Sequence, residues 1–394
     1  MKRLFRTGFS VALATLFFVS CSSSDDNSNN GGNGGDDGNN GNETELKGTY
    51  KKGDKLVLDG SKTYNLVGKL VIEDGATLTI PAGTKIVGAG GTSAYIAIGQ
   101  GGKIFVEGTK DNPVVMTGLE KKRGSWGGLV LCGKAPINKG TSATAEVSDL
   151  TYGGNDAADN SGSIRYLRIE YAGANFNSEK EFNGLSFFGV GSGTVVEYVQ
   201  AHEGSDDGFE WFGGTVNTKY LVSTHNDDDQ FDWTEGWTGN NEFWYSKQSG
   251  THDKGFEADN NAKNRTATPI ANPTIKNITL VAAAKGEGTA LKLREGTRGQ
   301  FENIVLDGWK TAFDVEHDET INNVNDGSLF AKNVKFVDIT TKSVGHLTNT
   351  NPNAAEDEKG EEVNVSSVFQ EGDNNGAGNG SEAPEWTKGW TVGL

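Results

Sequence analysis

The chain has 394 residues, a formal net charge of −17, and 56 glycines against 7 prolines. An acidic surface of this size repels phosphate backbones, which argues against nucleic acid as a partner and for metal cations or cationic ligands. So much glycine, without a collagen period or long helical runs, points to tight turns between short strands, in a chain long enough for a large core and one or two domains.

The N-terminus reads as a targeting signal. Lys2, Arg3 and Arg6 form a basic region, and the apolar stretch from Val11 to Val19 is too short to span a membrane. It ends in FVSC at Cys21, which resembles a bacterial lipobox, with Phe18 where leucine is usual. The resemblance implies a signal over 1–21 and a lipidated Cys21 that anchors the mature chain to the outer membrane. An ordinary secretory peptide is the alternative. Residues 22–45 contain no apolar side chain, so a flexible tether is expected over 22–46. Ser22–Ser24 followed by Asp25 and Asp26 resemble the export signal of surface-displayed lipoproteins in Bacteroidota, which implies a domain facing the cell exterior. A periplasmic spacer is the alternative. Cys132 is the only other cysteine, so an acylated Cys21 leaves no intrachain disulfide and stability must come from packing.

From residue 47 the vocabulary is that of strands and turns. LVIEDGATLTIPAGTKIVG (70–88) alternates apolar and polar residues around Gly75 and Gly83; GKIFVEGTKDNPVVMTG (102–118) and WGGLVLCGKAPIN (126–138) follow. Beyond them a repeat emerges. Leu185-Ser186-Phe187, Phe209-Glu210-Trp211, Phe231-Asp232-Trp233, Phe256-Glu257-Ala258, Leu291-Lys292-Leu293 and Phe313-Asp314-Val315 share one pattern, at steps of 24, 22, 25, 35 and 22 residues. The outer positions are apolar and the middle one is polar or charged. A second series interleaves with it: RYLRIEYA (165–172), EYVQA (197–201), KYLVS (219–223), EFWYS (242–246), KNITL (276–280), ENIVL (302–306) and KNVKF (332–336). Two short strands per 22–25 residues, joined by Gly/Asn/Asp-rich turns, fit one coil of a right-handed parallel β-helix, expected over 47–345 with loops inserted at 259–272 and 282–288. A propeller needs longer blades and hairpin signals. Asn277, Asn303 and Asn333 share a register position and are expected to form an inward asparagine ladder at a bend.

These strings, together with DDGFEWFGGTVNTKYL, resemble a widespread family of secreted bacterial β-helix lipoproteins over roughly residues 64–340. The resemblance implies an all-β, pectate-lyase-like superhelix at the cell envelope and brings no common reaction, so function rests on the site.

On a parallel strand the triplets place their outer residues in the core and their middle residues outside. Glu210, Asp232 and Glu257 then stack coil on coil, and carboxylates about 5 Å apart repel by nearly 1 kcal/mol per pair even in bulk water. The turns feeding this row add Asp206, Asp207, Asp228, Asp229 and Asp253. Oxygen-only donors at this density suit calcium. Neither an EF-hand spacing nor a zinc pattern is present, and no GxSxG nucleophile motif occurs. Three readings stay open at this point: turn capping and solubility, a bound cation, or catalysis.

Lys292 interrupts the acidic row, with Arg294 two residues on. It is either a neutralising ion-pair partner or, if the chain is a calcium-dependent polysaccharide lyase rather than a hydrolase, the base, with Arg294 as enolate stabiliser. His202, His225 and His252 share no register and are expected to bond turn carbonyls or aspartates. Trp237, Trp244 and Tyr245 are candidates for stacking on sugar rings. Residues 346–394 are loop-rich, and EWTKGWTVGL (385–394) is expected to cap the open end. The sequence therefore points first to a lipid-anchored surface protein that binds a glycan, or an envelope partner such as a TonB-type outer-membrane receptor, on a calcium-binding face. An enzyme and a purely structural surface element are the alternatives.

Overall fold

The computed structural model describes residues 44–177, 180–250, 252–351 and 358–394. The expected signal, Cys21 and nearly all of the tether lie outside the described residues. The first strand, Glu45–Tyr50, begins just before the expected boundary and already buries Leu46.

The chain winds as a parallel β-helix whose coils have three faces rather than the two anticipated. The strands of the second series are longer than their motifs: Val195–His202, Asn217–Thr224, Asn240–Lys247, Thr274–Val281, Gly299–Asp307 and Leu329–Val337 each turn a corner midway. Their first halves stack as face A and their second halves as face B, with parallel register on both sides of the corner. Face C holds the triplets, on strands Leu185–Phe188, Phe209–Phe212, Phe231–Thr234, Lys254–Ala258, Glu287–Leu293 and Trp309–Glu316.

The corner is one residue in the left-handed region: Tyr166, Tyr198, Tyr220, Phe243, Asn277, Asn303 and Asn333, with φ between 50° and 61°. That conformation costs an ordinary side chain roughly 1–2 kcal/mol, and asparagine less. The aromatic members offset it by stacking, with centroids 4.4, 4.3 and 4.9 Å apart from Tyr166 to Phe243. The asparagines offset it with a side-chain ladder, Asn303 Nδ2 donating to Asn277 Oδ1 at 3.0 Å and Asn333 Nδ2 to Asn303 Oδ1 at 2.7 Å. The ladder therefore forms, but it is only partly buried and lies on the side of the corner met by the C-terminal segment, where Asn374 donates to the Asn333 carbonyl.

Inside, the triplet aromatics make a continuous stack in which Trp211 lies 4.6 Å from Trp237 and 5.1 Å from Trp244. Trp237 and Trp244 are fully buried and Tyr245 is 1% exposed. This corrects their assignment as sugar platforms. Trp237 and Trp244 belong to the main core, while Tyr245 points out of face B but is covered by the C-terminal segment, its hydroxyl donating to the Ser381 carbonyl at 3.3 Å.

That segment is the second departure. The C-terminal end of the helix is closed by Glu362–Glu371, where Val365 and Val368 join the main core and Phe369–Glu371 adds a strand to Leu329–Val337. Residues 372–394 then turn back along face B. The Ala377 amide donates to Thr279, Gln200 makes two hydrogen bonds with Val392 at 2.7 and 2.9 Å, and His225 Nε2 meets the Gly393 carbonyl at 2.9 Å. EWTKGWTVGL is thus a lateral strap, not an end cap. His202 bonds Thr224 at 2.9 Å and His252 meets the Asp253 carbonyl at 3.4 Å, so among the described residues none of the three histidines pairs with an acidic side chain.

Two insertions depart from the regular coils. Residues of the 133–160 and 174–183 excursions build a small outer core against face C, with Ile137, Val147, Tyr152 and Phe182 covering Val130, Phe188 and Phe212. An unanticipated helix, Asp318–Asn325, buries Ile321 and Val324 against the last coils.

Candidate metal centre

Register alone brings the row together. Ser186, Glu210, Asp232, Glu257, Lys292 and Asp314 are successive partners on neighbouring strands of face C. The turn aspartates lie beside them. Asp207 and Asp229 are 6% and 3% exposed, and each spends one oxygen on the next coil: the Asp229 amide donates to Asp207 Oδ1 at 3.0 Å, and the Lys254 amide to Asp229 Oδ1 at 2.7 Å. This is the turn-capping role; it leaves the second oxygen of Asp207 available, whereas that of Asp229 lies 3.6 Å from the Lys254 ammonium.

All eight candidate metal ligands meet in four overlapping triads, in each of which one oxygen per residue lies within 4.8 Å of the others. These are Asp206–Asp207–Asp228, Asp207–Glu210–Asp232, Asp229–Asp232–Glu257 and Asp228–Asp229–Asp253. The two ends of the cluster differ. At the Glu257 end, Lys254 Nζ lies 2.9 Å from Glu257 and 3.6 Å from Asp229 and also pairs with Asp253, while Arg294 pairs with Glu257. At the other end, Asp206, Asp207, Glu210 and Asp232 have no cationic partner among the described residues. Glu210 accepts from Asn183 Nδ2 at 2.6 Å.

Burial and mutual repulsion push these carboxyls up. Asp206 rises to about 8 through burial and then the charges of Glu181 and Asp228. Asp207, Glu210 and Asp232 rise well above the usual carboxylate range. Burial leads in each, followed by Asp206 and Asp232 for Asp207, by Glu146 and Asp206 for Glu210, and by Glu210 and Glu257 for Asp232. Lys254 moves the other way from its burial: Asp229 and Glu257 outweigh desolvation and raise it.

Face A shows that stacked like charges are not forced by the fold. Its outward column reads Glu107, Arg165, Glu197, Lys219, Glu242, Lys276, Glu302, Lys332, partnered strand to strand and alternating in sign throughout. Three of its steps are ion pairs, Arg165–Glu197 at 3.1 Å, Lys219–Glu242 at 2.9 Å and Lys276–Glu302 at 3.3 Å. Such exposed pairs contribute little each, so Lys219→Glu is expected to cost only about 1 kcal/mol by denaturant unfolding, the cost shrinking in high salt. The same superhelix that alternates charge on face A stacks one sign on face C.

The donor set fits calcium. Every candidate ligand atom is oxygen, and oxygens within 4.8 Å of one another are close enough to share one ion at about 2.3–2.6 Å from each. Zinc would want nitrogen or sulfur, and none of the four triads contains either.

Lys292 and Arg294 are accounted for differently from the lyase reading. Lys292 is 7% exposed, and its ammonium donates to Asp314 at 2.9 Å and to Glu316, where Lys359 joins at 2.9 and 2.7 Å. Burial alone would raise Glu316, but Lys292 and Lys359 outweigh it and draw the carboxyl down to about 2. Arg294 donates through Nε to Asp259 at 2.9 Å and through its other end to Glu257. A buried ammonium shared by two carboxylates has no lone pair to offer as a base, so the neutralising ion pair is what the geometry supports.

Sequence reasoning missed Asn183 and Lys254, and the missed signal was legible. Both stand two residues before the first apolar position of a triplet, as do Asp207 and Asp229. Glu146 and Glu181, whose charges act on Glu210 and Asp206, come from excursions with no repeat to place them.

A family model described as a pectate-lyase like beta helix domain matches residues 48–391. Neither a curated protein nor a solved structure matches the chain. A match of that extent, on a parallel superhelix with an outward row of registered side chains, makes this chain a member of the pectate-lyase-like β-helix domain family.

Proposed function

We propose that the protein is a lipid-anchored β-helix of the bacterial outer membrane that binds calcium at Asp207, Glu210 and Asp232. Asp206 and Asp229 stand alongside, and the loaded face is presented to a glycan or an envelope partner. The observation that carries this reading is the contrast between the two outward columns: face A alternates in sign over eight strands, whereas face C stacks Glu210, Asp232 and Glu257 with no cation at the Glu210 end among the described residues. If solubility were the only demand, the alternating arrangement would serve without the repulsion. A divalent ion offsets that repulsion and gives the face a positive point to which hydroxyl or carboxylate oxygens of a ligand can bind. The lipobox-like FVSC and the acidic tether support the location.

Calcium titration of the chelator-stripped full chain by calorimetry tests the reading. Saturable heat is expected for the wild type and is expected to vanish in Asp232→Asn, which keeps the shape and removes a ligand charge. Binding to a glycan panel should then require calcium. A wild type without heat, or an Asp232→Asn variant that binds calcium equally well, would exclude the ion. Protease shaving of intact cells tests the location: complete protection of the domain would place it inside the outer membrane.

A further inference from the structure

Four departures from the repeat converge on one place near the C-terminal coils: the loop 259–273, the turn 294–298, the residue leading into the helix Asp318–Asn325, and residues 347–351 and 358–360 after the strand Thr341–His346. Together they enclose a pocket of about 580 Å³, within the range of small-molecule sites at roughly 300–1,000 Å³. In solenoids, insertions gathered on one face commonly build the binding surface.

His317 lies on the wall of this pocket with φ 80° and ψ 145°, a region that residues other than glycine avoid and that persists only where the surroundings enforce it. The enforcement is visible. The Ile321 amide donates to the His317 carbonyl at 2.9 Å, and the helix is bolted to the 294–298 turn through Thr320, which accepts from the Gly296 amide at 2.9 Å, and Asn323, which donates to the carbonyls of Gly296 and Thr297 at 3.0 Å each. The Glu295 amide donates to His317 Nδ1 at 3.1 Å, so the neutral ring carries its proton on Nε2, which has no acceptor among the described residues. Burial, opposed in part by Glu295, holds the ring below its ordinary value and therefore neutral at pH 7. His346 shares the pocket. Among the described residues its Nδ1 is buried without a hydrogen-bond partner, 4.0 Å from an Asp314 Oδ1 in the same state. A proton on Nδ1 faces that carboxylate, and Nε2 is left as an acceptor.

One histidine therefore offers a donor and the other an acceptor, the pairing that a hydroxyl satisfies. The basic side chains of the wall are already matched: Arg265 with Glu295, Arg294 with Asp259, and Lys292 and Lys359 with Asp314 and Glu316. No cation is left over among the described residues to recognise an anion. We propose that this pocket is a second ligand site, separate from the acidic row, that takes a neutral, hydroxyl-rich molecule such as a sugar unit, with His317 as its hydrogen-bond donor.

The test is saturation-transfer NMR on the full-length protein in excess chelator, with glucose, galactose, xylose and cellobiose set against glucuronate and galacturonate. At least one neutral sugar is expected to bind without calcium, and His317→Gly to weaken it about tenfold, the equivalent of one lost hydrogen bond. The same variant is expected to melt no lower than the wild type, because glycine adopts φ 80° without strain and a merely structural histidine would be missed. Silence from every neutral sugar, a response confined to the uronates, unchanged binding by His317→Gly, or a marked fall in its melting temperature would each overturn the proposal. A neutral-sugar signal that appears only with calcium would do so as well, by moving the ligand to the acidic row.

Discussion

Trp390→Ala is expected to destabilise the protein by about 3–5 kcal/mol, the range for emptying a large aromatic site. The residue stands near the end of the chain, where fraying is the usual expectation. Here it is fully buried. Its ring meets Tyr166 and Tyr198 edge-on at 5.9 and 6.0 Å, its Nε1 donates to the Trp386 carbonyl at 2.8 Å, and its own carbonyl accepts from Arg168 at 3.3 Å. Removing the indole uncovers two tyrosines that already hold left-handed backbone, and it loosens the reciprocal pair of hydrogen bonds between Gln200 and Val392. Denaturant unfolding checks the magnitude, and limited proteolysis checks the place: cleavage should move into 372–394 first. Trp386 is only partly buried, so Trp386→Ala should cost clearly less. A loss below about 1 kcal/mol at Trp390 would mean that the strap does not hold the corner.

The second large effect expected is a pH dependence that calcium, bound as proposed, would reverse. Asp206 titrates at about 8 in the fold, and Asp207, Glu210 and Asp232 lie well above the values near 4 of an unfolded chain. Without a cation, the folded state keeps protons that the unfolded state has released. The associated stability is therefore complete below about pH 4 and is lost as pH climbs toward 8. Calcium bound as proposed would take the place of those protons. At 100 to 1,000 times its dissociation constant it should add about 3–4 kcal/mol. Melting curves in chelator and in calcium should nearly coincide at about pH 4.5 and separate progressively up to about pH 8. Asp232→Asn should melt above the wild type in chelator at the upper end of that range, because one repelling charge is gone, and should gain little from calcium. Parallel curves at every pH would contradict this, as would equal protection by sodium chloride at matched ionic strength.

Much of this architecture was legible because a parallel superhelix repeats its contacts at short, countable intervals. The spacing from Phe209 to Phe231 to Phe256 determines which residues stack, so the row Glu210, Asp232, Glu257 follows from register alone, and the turn aspartates that precede each triplet gather beside it. The third face was hidden in single residues. Nothing in EYVQA announces that Tyr198 turns the chain through a left-handed corner; Asn277, Asn303 and Asn333 were expected at a bend, but not as the continuation of an aromatic corner that separates two faces. The aromatic assignment failed because a solenoid this rich in tryptophan keeps the rings inside. Trp237 and Trp244 stand beside a polar turn in sequence, yet stack on Trp211 in space. The strap was misplaced because chain order puts 385–394 at the last coil, and only its contacts with Gln200 and His225 reveal the return path. Glu146 and the walls of the His317 pocket come from insertions, where periodicity carries no information.

The most direct measurement is a crystal structure of the protein grown in calcium. Binding at the acidic row predicts a strong peak between Asp207, Glu210 and Asp232, with an oxygen from each at about 2.3–2.6 Å and the remaining ligands from neighbouring aspartates and water. Carboxyls hydrogen-bonded to one another through shared protons at that position, with no ion between them at saturating calcium, would contradict it.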